Sequence, residues 1–233
     1  MRGIFVTGTG TEVGKTVVAA VIARSLVSAG QRVAVFKPAV TGLDPPADGP
    51  ISGDIDRFSA HRADHELLRI AAGSEQSDEQ IAPYRYGPPA SPHLAAALAG
   101  EQIEPERLVE AAHAACQGAD ALVCEGVGGL LVPLSAGYLV RDFAVELGLP
   151  LTIAAPPGLG TINHTLLTIE AARAANLDVA AVVLTPWPAS PSRIEESNRE
   201  TIASLAQVRV ETLPPLDLAD PGSWPALAPL APG

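Results

Sequence analysis

With 233 residues and 47% hydrophobic content, the chain has enough material to bury a full core, and a single domain over 1–233 is expected. A formal net charge of −11 without any Lys/Arg cluster argues against a nucleic-acid-binding surface. Its apolar stretches are broken well before the roughly 18 residues of a membrane span, and Gly8 to Lys15 interrupt the N-terminal one, so neither a span nor a signal peptide is expected and the protein is placed in the cytoplasm.

A β-rich run over 3–7 passes through Gly8-Thr9-Gly10-Thr11-Glu12-Val13-Gly14-Lys15-Thr16 into an apolar helix over 15–29. Glycines between a strand and a helix let successive backbone N–H groups and the helix N-terminus converge on one anion. Lys15 adds a mobile cation, and Thr16 a hydroxyl for Mg2+. The pattern G-x-x-x-x-G-K-[ST] is met with one residue too many, since five residues separate Gly8 from Gly14 and Thr9 stands at the pattern's first glycine. Nucleotide phosphate binding is the reading, and a turn that binds nothing would leave Lys15 unexplained.

Further along, strands are predicted over 32–36, 121–124, 149–154, 179–184 and 208–213, and helices over 63–72, 91–98, 105–117, 140–146, 161–175 and 192–205. This alternation predicts an α/β fold, a mainly parallel central sheet flanked by helices, P-loop NTPase-like. The Pro-, Asp- and Gly-rich stretch 43–53 reads as a mobile loop, and the Pro-rich tail after Leu213 shows no period.

Ligands collect beyond the carboxyl ends of strands in such sheets. That rule selects Lys37, pinned by Pro38 on the same rim as Lys15, then Thr41-Gly42, and Glu125-Gly126-Val127-Gly128-Gly129. A strand-end carboxylate such as Glu125 can hold Mg2+ directly or through water. Asp54 and Asp56 lie in a loop-to-helix segment, where Asp56 reads best as an N-cap. Cys116 and Cys124 lack metal-ligand spacing and read as buried thiols.

Together these residues resemble the dethiobiotin synthetase family. The matching pieces are Phe5-Val6-Thr7-Gly8-Thr9 with Thr11-Glu12-Val13-Gly14-Lys15-Thr16, Lys37-Pro38, Pro83-Tyr84, Ser91-Pro92-His93, Glu125 to Gly129, Pro133-Leu134 and Leu159-Gly160-Thr161-Ile162-Asn163-His164. The expanded loop is that family's own form. The resemblance implies a homodimer with substrate near the subunit interface and a ligase that closes a cyclic urea. Its substrates would be 7,8-diaminononanoate, CO2 and ATP as co-substrate, with Mg2+, by way of a carbamate and a carbamic–phosphoric anhydride. By the same resemblance, Lys15, Lys37 and Thr11 are catalytic, and Glu12, Val13, Gly14, Lys15, Thr16 and Val17 line the nucleotide. Thr11, Lys15, Lys37, Thr41 and Asn163 meet substrate, with Asn163 offered by the second subunit, and Thr16, Asp54 and Glu125 hold metal.

Ser91 reads as the N-cap of a helix opened by Pro92, so His93, like His164, is structural rather than catalytic. Trp187 and Trp224 read as loop packing or as a wall for the base. Two departures from the family are Gly10, where members often carry an acidic residue, and Thr185-Pro186-Trp187-Pro188, where many carry an Asn-Asp base-recognition motif. The competing readings are a partitioning-type P-loop switch ATPase, which usually carries a further lysine early in the loop, and an amide-forming synthase of cobalamin metabolism, for which 233 residues leave little room.

Overall fold

The computed structural model describes residues 2–44 and 63–227. Asp54, Asp56 and most of the loop expected over 43–53 lie outside the described residues.

Six parallel strands form the central sheet in the order β10-β9-β8-β1-β5-β2, with β1 Gly3–Gly8, β2 Val33–Phe36, β5 Ala121–Gly129, β8 Leu151–Ala155, β9 Val179–Leu184 and β10 Arg209–Thr212. These are the six predicted strands. β1 lies between β8 and β5 with helices packed on both faces of the sheet, so it reads as an unbroken apolar run rather than an alternating one.

Alternate residues feed opposite faces. On one, Ile4, Val6, Val35, Val123, Ala154 and Val183 pack on α1 (Lys15–Ser28) and α2 (Asp64–Ala72). On the other, Phe5, Phe36, Leu122 and Leu151 meet Leu108 of α5 (Pro105–Ala115) and Phe143 of α6 (Val140–Leu147). On that same face Ile153, Val182 and Leu184 meet Ile169 of α7 (Thr161–Ala174) and Ile202 of α8 (Arg193–Ala206). α1 is apolar nearly all round because it is covered nearly all round.

Part of that cover is the Pro-rich tail. Leu213, Trp224 and Leu227 join the α1 cluster, the Trp224 indole N–H donates to the Asp217 carbonyl at 2.7 Å, and Leu227 N–H donates to Ser25 Oγ at 3.1 Å. A segment with no hydrophobic period is thus packed as an extended strap.

Three shorter pieces complete the description. β3 (Ala39–Val40) pairs in parallel with β4 (Tyr84–Arg85), β6 (Pro133–Ser135) pairs antiparallel with β7 (Tyr138–Leu139), and α3 (Asp78–Ile81) is one turn closed by a Ser77/Gln80 capping box. In α4 (Pro92–Leu98), Ser91 stands at the N-cap without a capping bond, and its hydroxyl lies 3.1 Å from His93 Nδ1 instead. Cys124 is fully buried, Cys116 half-buried, and they are not joined.

Candidate active site

The site forms where β1 ends. Thr9 N–H donates to Ala154 O at 3.1 Å, and the chain then turns through Glu12 at φ 60° and Gly14 at φ 86° before α1 begins. Gly14 is the N-cap and offers no side chain to the first-turn N–H groups of Lys15, Thr16 and Val17, which leaves them available to an anion. A Cβ on Gly14 would stand 2.6 Å from Thr185 Cγ2, so glycine is required by space as well as by φ. Val13 and Val17 are half-buried against the α1 cluster, and the Val13 side chain lies across the loop, where a Cβ on Gly8 would stand 2.6 Å from its Cγ2. Thr11 and Glu12 are exposed.

β5 continues past its expected end at Cys124. Its register with β1 shifts between Val6↔Glu125 and Gly8↔Gly129, so the strand bulges and resumes beside the loop. Glycine permits this: a Cβ on Gly126 would stand 3.0 Å from Phe5 Cε1 and 3.1 Å from Val140 Cγ1. Glu125 is consequently a residue of a central strand, fully buried, rather than one that follows the strand.

Its Oε1 accepts from Thr16 Oγ1 at 2.8 Å and from Lys37 Nζ at 2.6 Å. Lys37, just beyond β2 and 3% exposed, also pairs with Asp64 Oδ2 at 2.7 Å, and its backbone N–H donates to Ile81 O at 2.8 Å. Lys15 is buried too, its ammonium folded onto the loop's own Gly10 carbonyl at 2.7 Å. Burial pushes the Glu125 carboxyl up against the pull of Lys37. It also disfavours charge on Lys37, but Asp64 and Glu125 outweigh it and hold that ammonium above its ordinary value. Asp64 is held down by Lys37. Lys15 is lowered by burial, with Glu125 opposing.

Glu125 Oε2 is buried and has no hydrogen-bond partner. Beside it stand the Thr16 hydroxyl and, through Lys37, the Asp64 carboxylate, all hard oxygen donors. Among the described residues no group of three or more His, Cys, Asp or Glu forms a metal cage. Asp64 was missed by sequence reading because an Asp opening an amphipathic helix looks like an end-of-helix charge.

Thr41 is half-buried immediately after β3. Asn163 and His164 are exposed on the first turn of α7, whereas Lys15 and Lys37 are buried. The N-cap of α7, Gly160 at φ 90°, likewise carries no side-chain cap. The preceding loop is fixed by buried Asn198, whose Nδ2 donates to Pro157 O at 2.9 Å and Gly158 O at 3.1 Å.

A family model described as an AAA domain matches residues 2–221. The ATP-dependent dethiobiotin synthetase BioD of Anaeromyxobacter dehalogenans strain 2CP-1 is 44% identical over 184 residues, 79% of this chain and 76% of that one. That of Anaeromyxobacter sp. strain K is 40% identical over 214 residues, 88% of this chain and 90% of that one. That of Bacillus subtilis strain 168 is 34% identical over 212 residues, 90% and 85% of the two chains. The chain belongs to the ATP-dependent dethiobiotin synthetase family. Among solved structures, apo McdA of Cyanthece aligns with a TM-score of 0.51 at 14% identity, over 93% of this chain and 87% of that one, a likeness of fold alone.

The rim beyond β9 and β10 is rich in proline. Pro186, Pro188, Pro214 and Pro215 have no N–H. The N–H groups of Thr185, Trp187 and Leu213 are spent on Ala155 O (2.9 Å), Leu213 O (2.7 Å) and Leu184 O (3.0 Å). The Trp187 ring lies half-buried under the Arg199 guanidinium, 5.8 Å from its centroid. No helix among the described residues is long and apolar enough to cross a membrane.

Proposed function

We propose that the chain is an ATP-dependent dethiobiotin synthetase of biotin biosynthesis, closing a cyclic urea from 7,8-diaminononanoate and CO2. The observation that carries this reading is the gathering of Thr16, Lys37 and Glu125 beside a phosphate loop whose helix is uncapped.

An alkyl amine has a pKa of about 10.4, so at neutral pH only about one molecule in 10³ is free base. Lys15 and Lys37 beside the amine favour that base by like-charge repulsion, and they then stabilise the carbamate anion formed when it adds to CO2. The carbamate oxygen takes the γ-phosphoryl group of ATP, giving a carbamic–phosphoric anhydride and ADP. The second amine attacks the carbamoyl carbon, phosphate leaves, and the ring closes. Alignment and charge neutralisation suffice for the phosphoryl transfer, with no covalent nucleophile.

Backbone groups of Glu12 to Val17 would receive the phosphates as Lys15 exchanges the Gly10 carbonyl for a phosphate oxygen. Thr11 and Thr41 would meet the diamine. Thr16 and Glu125, with Asp54 as the resemblance implies and Asp64 beside them, would hold Mg2+, which neutralises triphosphate charge. The reading includes a homodimer in which Asn163 and the open N-terminus of α7 from a second subunit receive the substrate carboxylate. The β9–β10 rim, with no free backbone N–H at residues 185–188 and 213–215, would favour a base that presents an amino group over one that presents a carbonyl.

The test is phosphate release with the diamine, bicarbonate and MgATP. Release that requires the diamine supports the reading, and hydrolysis indifferent to it favours a switch ATPase.

A further inference from the structure

One ammonium sits where the charge of two carboxylates converges. Lys37 Nζ lies 2.6 Å from Glu125 Oε1 and 2.7 Å from Asp64 Oδ2, and it is almost wholly enclosed. Thr16 Oγ1 donates to the same Glu125 oxygen, while the other oxygen, Oε2, is buried and unpartnered. An ammonium donates three hydrogen bonds and a carboxylate accepts about four, so Lys37 compensates the buried charge but leaves accepting capacity unused. Lys37 bridges both carboxylates, whereas Lys15 is bonded to a carbonyl. A divalent cation brought to the same oxygens therefore competes with Lys37 first.

We propose that Lys37 is a resident counter-ion that keeps the divalent-cation position between Asp64 and Glu125 neutral in the empty enzyme and yields it when the metal arrives. Its ammonium is then freed towards the reacting groups only after the metal is in place. This rests on the reading of Thr16 and Glu125 as metal ligands with Asp64 beside them. The same lysine that would stabilise the carbamate is thus withheld until the nucleotide's metal is bound, and metal without nucleotide binds weakly because it must compete with a tethered cation.

The experiment is calorimetric titration of the nucleotide-free protein with Mn2+ alone. Lys37→Gln is expected to bind Mn2+ at least tenfold more tightly than wild type. Arg69→Gln, which removes a positive charge from the same helix at a residue paired with Asp78, should change affinity less than twofold. Equal or weaker binding by Lys37→Gln overturns the proposal, as does an equal gain in Arg69→Gln. Should Lys37→Gln fail to fold, acylation of Lys37 in wild type, followed by peptide mass spectrometry against the N-terminal amine, reads the same event. Labelling should rise at least fivefold at saturating Mn2+, and an unchanged rate overturns the proposal. Mn2+ that binds wild type and variant alike leaves the metal site standing without the counter-ion role. No Mn2+ binding by either, even with ATP present, removes both.

Discussion

Glu125 shows what one carboxylate gains from its surroundings. Enclosed in a central strand, its carboxyl is pushed up by burial while Lys37 favours the charged form, and breaking a buried pair costs more than making it gains. Glu125→Gln keeps the shape and leaves Lys37 its bond to Asp64. The variant is expected to fold, to need at least tenfold more Mg2+ for half-maximal rate, and to lose about 10²-fold in kcat, in line with removal of one charge-stabilising group. A magnesium titration of initial rates decides it, and an unchanged requirement would remove Glu125 from the metal set. Lys15 and Thr16 were legible in the sequence because they close a glycine loop, Lys37 because it follows a strand, and Glu125 because an apolar run leads into it. Asp64 was not, because only the fold brings the first turn of α2 to Lys37.

At the level of elements, long apolar runs announced the six strands of the sheet and the helices between them. The two-residue strands β3, β4 and β7 and the single turn α3 are too short for any period to register. The extension of β5 through Gly126 to Gly129 was hidden by its glycines, which look like loop and here allow the strand to squeeze past Phe5. Prolines at the β9–β10 rim read as a departure from the family, but their effect emerges only when each neighbouring N–H is traced to its acceptor. A rim without free N–H donors should prefer an exocyclic amine to a ring carbonyl. ITP, which differs from ATP by that exchange, is expected to show a kcat/KM at least tenfold lower, about the worth of one hydrogen bond. Equal values for the two nucleotides would place the base elsewhere.

For the whole molecule, two contacts far from the site tie the architecture together. Arg32, just before β2, grips Asp120, just before β5, through Nη2 to Oδ1 at 2.8 Å, Nε to Oδ2 at 3.1 Å and its backbone N–H at 2.9 Å. Side-chain and then backbone hydrogen bonds from Arg32 lower the Asp120 carboxyl to about 2. A carboxyl depressed on folding adds stability that is complete above its unfolded value near 4 and is lost as pH falls through the folded one. The Tm gap between wild type and Asp120→Asn should therefore be present at neutral pH, narrow below pH 4, close near pH 2, and shrink in salt because the pair is exposed. A gap independent of pH would deny the linkage. The second contact is the strap. Trp224→Ala removes a nearly buried indole from the α1 cluster and should destabilise by about 3 kcal/mol in urea unfolding, whereas a loss within 0.5 kcal/mol, the range of an ordinary surface substitution, would mean the tail merely rests there.

The strap has a further consequence for how the chain is made. Leu227 reaches Ser25 across 202 residues, so the helix that carries the phosphate loop is among the first elements to leave the ribosome and among the last to be covered. Until Trp224 and Leu227 have been added, one apolar flank of α1 waits in water, and nascent chains halted before that point should be the ones chaperones hold.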